Sequence, residues 1–300
     1  MVYYIDKYLI MKKKACFLTL FILVGSLVNA QQGSDIYLFN FKIDKDQFSL
    51  SNARNITNSP GYDNQPYFLA DGQSLLYSSD DGFGQTDIYR YNIQARSERR
   101  LTFTPSSEYS PTLTPDGNYF SCIILEKDGK QNLWKYPLQG AVPQKLSTVN
   151  PIGYHCWINS DLLGVFVVGQ PNALSFISLN ADKEDKIADS PGTTLAMIPG
   201  KENMMSYVDL SDEHTWSIKS INTSTKEASD IINTVKKSQY YTWTPNGILL
   251  LGDGKRLYKF DPETDTDWVE LANLSDYGIQ DFSRITVSPN GNLLAVVVSE

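Results

Sequence analysis

Two histidines, His155 and His214, stand in a chain of 300 residues, and neither belongs to an H-x-x-x-H pair. No C-x-x-C or G-x-S-x-G spacing occurs either, which removes the sequence signals of zinc proteases, zinc ribbons and hydrolase elbows. The residue types favour recognition instead. Tyr154-His155, Tyr240-Tyr241 and Arg284 combine aromatic faces, an imidazole and a guanidinium. Such a set can stack on a flat ligand and clamp a carboxylate or a phosphate. The same residues also read as bulk that plugs a channel, and His155 beside Tyr154 reads as a hydrogen-bonded structural residue. No catalytic residue is assigned.

A second candidate set is acidic. Asp80, Asp81 and Asp87 offer hard oxygen donors around Gly82 and Gly84, so calcium is the one cofactor the sequence raises. The spacing is not that of a D-x-D-x-D-G loop with a closing Glu. Ser78, Asp80 and Gly82 match the S-x-D-x-G part of an Asp box, without the Thr-Trp that should follow. Solvated turn chemistry accounts for the stretch with no cofactor at all.

Positioning these residues falls to a repeat. A turn opens at Ala70 in L-A-D-G, Pro115 in T-P-D-G, Asn159 in I-N-S-D, Pro199 in I-P-G-K, Pro245 in T-P-N-G and Pro289 in S-P-N-G, with gaps of 45, 44, 40, 46 and 44 residues. Each unit accommodates four strands: one ending at the turn, an apolar run such as Leu75-Leu76-Tyr77, an alternating stretch such as D-I-Y-R-Y-N, and a short polar edge. The chain ends after a second strand. It begins, past residue 30, with S-D-I-Y-L-F-N (34–40) and A-R-N-I-T (53–57), which have the pattern of third and fourth strands. Unpaired sheet edges are costly, so the two half-units should join. The expectation is an all-β fold, a six-bladed β-propeller of four-stranded blades, closed by N-terminal outer strands pairing with C-terminal inner strands.

Register in that ring groups the candidates. Four residues before each opener stand Pro66, Pro111, His155, Leu195, Tyr241 and Ile285, and one earlier Gln65, Ser110, Tyr154, Thr194, Tyr240 and Arg284. These twelve should share one height where the innermost strands enter the channel, the prolines as first strand residues. Loops 58–65 and 104–110 add Asp63 and Glu108 to the same mouth. The expected binding set is therefore Tyr154, His155, Tyr240, Tyr241, Arg284, Gln65, Glu108 and Asp63.

E-Y-S-P-T-L-T-P-D-G-N-Y-F-S-C-I (108–123) and T-D-I-Y-R-Y-N (86–92) resemble the WD40-like repeat of the TolB propeller family, whose units read P-x-[FW]-[ST]-P-D-G followed by D-I-Y. The resemblance runs from Ser34 to Glu300, strong in units one, two, five and six and weak in three and four. It implies a propeller and an exported location. TolB also has an α/β domain ahead of its propeller, which finds no room here, so its partners are not carried over.

Lys12-Lys13-Lys14, the apolar stretch 15–25 and Val28-Asn29-Ala30 have the order of a signal peptide, expected over 1–30 with a start at Met1 or Met11. Its apolar stretch is too short to span a bilayer, which needs roughly 20 residues. The propeller then occupies 31–300, periplasmic or secreted. Its formal charge, −8 over the whole chain, argues against nucleic acid. Cys122 and Cys156 remain, as buried thiols or as a disulfide. The function expected is a non-catalytic module docking an envelope protein or glycan. A calcium-dependent lactonase or lyase and a small-ligand sensor are the alternatives.

Overall fold

Turn glycines and alternating apolar residues cut the chain into strands that pair with their sequence neighbours. In the computed structural model, residues 33–44, 47–80, 82–139 and 142–299 are described; the expected signal segment and Asp81 lie outside them. Six four-stranded antiparallel sheets result. Blade one runs from β3 (Asp63–Phe68) through β4 (Ser74–Asp80) and β5 (Thr86–Asn92) to β6 (Ser97–Arg100). Blade two starts with β7 (Ser107–Leu113) and β8 (Tyr119–Leu125), blade three with β11 (Ile152–Trp157), blade four with β15 (Pro191–Met197) and β16 (Met204–Asp209), and blade five with β19 (Tyr241–Trp243). Blade six joins β23 (Phe282–Val287) and β24 (Leu293–Ser299) to β1 (Ser34–Asp44) and β2 (Gln47–Asn55), in the order β2-β1-β24-β23. The protein is a six-bladed β-propeller.

Burial explains the order of strands. Second strands are packed on both faces, as Leu75, Leu76 and Tyr77 or Leu294, Ala295 and Val296 show, all with no exposed surface. Fourth strands are edges, exemplified by the exposed run Lys183-Glu184-Asp185-Lys186. The apolar cores lie between blades. Ile36 and Leu38 of blade six, for example, pack on Phe68, Leu75 and Tyr77 of blade one. The first turns need a left-handed residue, supplied by Gly117 at φ +70° and Gly291 at φ +72°.

Closure follows the expected arrangement. β1 pairs with β24 from Ser34↔Ser299 to Asn40↔Leu293. Its first residues also fasten blade six to blade one. Ser34 donates its N–H to the Gly61 carbonyl (3.0 Å) and its hydroxyl to the Asp63 carbonyl (3.0 Å). The Asp35 carboxylate accepts from Asn55 Nδ2 (2.6 Å), Thr57 Oγ1 (3.0 Å) and the Ser59 N–H (3.3 Å).

Three details differ from expectation. β2 occupies 47–55 rather than 53–57, because the alternation of Phe41 and Ile43 against Phe48 and Leu50 extends the hairpin beyond a bulge at Leu38/Asn40. Pro66 and Pro111 are not first residues of strands. They sit inside β3 and β7 at bulges, Asn64/Tyr67 and Tyr109/Thr112, where the ladder is interrupted and no N–H is needed. Cys122 and Cys156 are free thiols in separate blades. Burial pushes the Cys156 thiol up to about 12.

Candidate functional site

The bulges recur in β3, β7, β11, β15 and β23 at the height where the innermost strands meet the channel. In β3 and β7 they hold Gln65 at φ +56° and Ser110 at φ +54°. Bulging turns successive residues toward the axis that a flat strand would point apart. All twelve register positions line one cavity of about 160 Å³, together with Tyr67, Thr112 and Thr193.

Two serines anchor the aromatic side of this cavity. Ser206 on β16 accepts hydrogen bonds from Tyr241 Oη (2.8 Å) and Trp243 Nε1 (2.8 Å) and donates to the Ala196 carbonyl (3.1 Å). Ser121 on β8 repeats the arrangement two blades earlier. It accepts from Trp157 Nε1 (2.8 Å), lies 2.6 Å from His155 Nε2 and donates to the Thr112 carbonyl (3.2 Å). A hydroxyl has one proton and two acceptor sites. With that proton on Thr112, the His155 proton belongs on Nε2, as the Tyr241 hydroxyl proton points at Ser206. His155 Nδ1 is then a bare acceptor, buried and without a partner among the described residues. Burial pushes the imidazole pKa down to about 3, so His155 is neutral at physiological pH.

Arg284 reaches the cavity from blade six. One terminal nitrogen donates to Tyr154 Oη of blade three (2.9 Å), and the guanidinium carbon lies 4.6 Å from the Tyr240 ring centroid and 5.3 Å from that of Tyr154. Cation–π attraction therefore holds the charge in place. Among the described residues no carboxylate lies within ion-pair distance of it. Gln65 spans blades one and two, its Oε1 accepting from Ser78 Oγ (2.9 Å) and the Ser110 N–H (2.7 Å). The Ser110 and Thr193 hydroxyls have no partner among the described residues.

Asp63 and Glu108 are placed elsewhere. They occupy the position filled by Ile152 and Phe282 in blades three and six, a core position, and are 1 % and 0 % exposed. Asp63 accepts from Ser59 Oγ (2.5 Å) at the closure seam. Glu108 lies between Thr102 and Thr104 beside the Asp87–Arg100 ion pair (2.6 Å). Burial pushes its carboxyl up to about 7. The bulge that turns Gln65 and Ser110 to the channel breaks the two-residue alternation that would have carried these acids with them.

Of the calcium-type stretch, Asp80 and Asp87 are described, and each meets donors of the protein itself. Asp80 accepts from the N–H groups of Gly82 (2.7 Å) and Gly84 (3.0 Å), while Asp87 faces Arg100. Among the described residues no three His, Cys, Asp or Glu side chains are grouped to hold a metal ion. His214 is an exposed loop residue, 3.4 Å from Glu213. On the face carrying the cavity mouth, Phe83 is 92 % and Phe103 72 % exposed.

Ser121, Ser206 and Thr193 were missed in the sequence, whereas Ser110 was among the twelve register positions. A signal for the first two existed. Y-H-C-W (154–157) and Y-Y-T-W (240–243) share a Y-[HY]-x-W spacing that places two donors on one strand face.

No protein-family model matches the chain, and no curated protein matches its sequence. Solved structures do match in shape. A TolB candidate from Agrobacterium tumefaciens superposes with TM-score 0.67 at 15 % identity, covering 90 % of this chain and 99 % of that one. TolB from Acinetobacter baumannii gives 0.56 at 11 % identity, with 89 % and 64 % covered. A chain of a nidogen–laminin complex gives 0.59 at 9 % identity, with 80 % and 94 % covered. The fold is TolB-like, and at these identities the fold is what the likeness establishes. Among the described residues no helix is long and apolar enough to cross a membrane.

Proposed function

We propose that this TolB-like propeller is an exported, non-catalytic interaction module of the cell envelope, docking a protein or a glycan over the face that carries the cavity mouth. One observation carries the reading: two phenylalanines on neighbouring loops, Phe83 and Phe103, are 92 % and 72 % exposed, the second with the Arg100 guanidinium 4.7 Å from its ring centroid. Exposed aromatic side chains on a rigid scaffold are the usual anchors of binding energy. The nidogen–laminin chain, similar to this one in fold, was solved in a protein complex. Export is read from residues 12–30. With a formal charge of −8, association with a basic partner should be steered electrostatically and slow as salt rises.

The test is affinity capture from an envelope fraction, followed by reconstitution with the purified partner. Phe83→Ala/Phe103→Ala should weaken binding at least about tenfold while the melting temperature holds. Unchanged affinity in the double variant, or turnover of a lactone or polyuronate by the intact protein, overturns the proposal.

A further inference from the structure

The cavity holds a positive charge that its surroundings do not answer. Arg284 is half-buried and fully ionised at any physiological pH. It uses one described hydrogen bond, to a neutral phenol, out of the five N–H groups it carries. This occurs in a chain with 34 acidic residues against 26 basic ones, where a counter-ion would be easy to supply. Two acids lie at the same strand entries, Asp63 and Glu108, and both are turned into the blades. A half-buried charge without a counter-ion is costly, and positions that keep one are candidates for ligand contact.

The neutral groups around it are also unspent. His155 Nδ1 is a bare acceptor on a residue 7 % exposed, and the Ser110 and Thr193 hydroxyls lack partners. We propose that the cavity binds a monocarboxylate. Its oxygens meet the open edge of the Arg284 guanidinium, and a hydroxyl or amide hydrogen beside the carboxylate reaches His155 Nδ1. Planar, bidentate recognition is what a guanidinium does best with a carboxylate. One cation balances one negative charge, and His155, neutral, adds no second, so a phosphate dianion is a poorer match. The rings of Tyr154 and Tyr240 already cover the guanidinium, leaving its edge and not an aromatic face for the ligand. A volume of about 160 Å³ admits a small acid or the last residue of a chain.

This inference rests on reading the face as a recognition surface and names what its centre takes: the carboxylate of a free acid, or that of a docked polypeptide's C-terminus. The experiment titrates the purified protein with sodium lactate, N-acetylglycylalanine, the amide of that dipeptide, inorganic phosphate and sodium chloride, following the melting temperature. A carboxylate that binds should raise it by about 5 °C at a hundredfold excess over Kd, with the amide and chloride inert. A response to lactate identifies a free acid, and a response to the dipeptide alone identifies a chain end. Arg284→Gln should abolish the response. Should that variant not fold, Thr193→Val and Arg284→Lys should each weaken binding several-fold, Lys because it lacks the planar fork. The proposal falls if neither acid acts up to about 100 mM, if phosphate acts as strongly, or if the response survives Arg284→Gln. A protein that captures an envelope partner yet ignores both acids loses this inference and keeps the docking function. One that answers to lactate and captures nothing keeps the cavity and loses the docking function.

Discussion

Ser121 and Ser206 do the same job at two seams with different neighbours. Each sits on the second strand of its blade, donates to its own innermost strand and accepts two hydrogen bonds from the next blade. Between blades four and five the donors are Tyr241 and Trp243, and nothing is left over. Between blades two and three Tyr241 is replaced by His155, and a second ring nitrogen remains unused. The tryptophan alone would fasten the seam in both places. Comparing equivalent positions within one molecule thus separates what the fold requires from what one blade adds, and the addition belongs to a residue that lines the cavity.

The comparison can be broken at several strengths. Deleting β1 should have the largest effect, because Ile36, Leu38, Phe39 and Phe41 are at most 3 % exposed and pair blade six to itself. Calorimetry should then lose its single cooperative transition. A deletion that melts like the intact chain would show that both seams stand without the ring.

Acidification should separate the seams next. Burial holds the folded His155 pKa at about 3 against 6.5 when free, so the folded state holds fewer protons; its stability is complete above pH 6.5 and falls as pH drops toward 3, by about 5 kcal/mol. Glu108 runs the other way. Its folded value of about 7 exceeds 4.5, so stability is complete below pH 4.5 and is lost as pH rises through 7, by about 3 kcal/mol. Chemical denaturation across pH should show both limbs. His155→Tyr, which copies the other seam, should flatten the first, and Glu108→Gln the second.

The smallest expected effect compares the serines directly. Ser206→Ala strands the hydrogens of Tyr241 and Trp243 and should cost about 3 kcal/mol, while Ser121→Ala should cost about 2. The imidazole can move its proton to Nδ1, which a phenol cannot. Equal costs in urea titrations would mean that His155 has no such freedom.

The ring was legible because its evidence is periodic: six turn openers and two half-units determine blade number and closure without any knowledge of packing. The twelve mouth positions were legible for the same reason, since equal offsets from a repeated turn mean equal heights. Asp63 and Glu108 were misplaced because a bulge changes which way a side chain points without changing the residue count a reader sees. Ser121 and Ser206 were invisible as single serines. Their role depends on strands 34 to 37 residues away, a separation at which only the fold supplies the partner.

Blades three and six stand opposite one another in a ring of six, so the Arg284–Tyr154 contact is a spoke across the hub. A spoke sets a diameter. Any guest that draws the guanidinium away from that phenol loosens the tie between facing walls, and the width of the bore becomes a quantity that occupancy can tune.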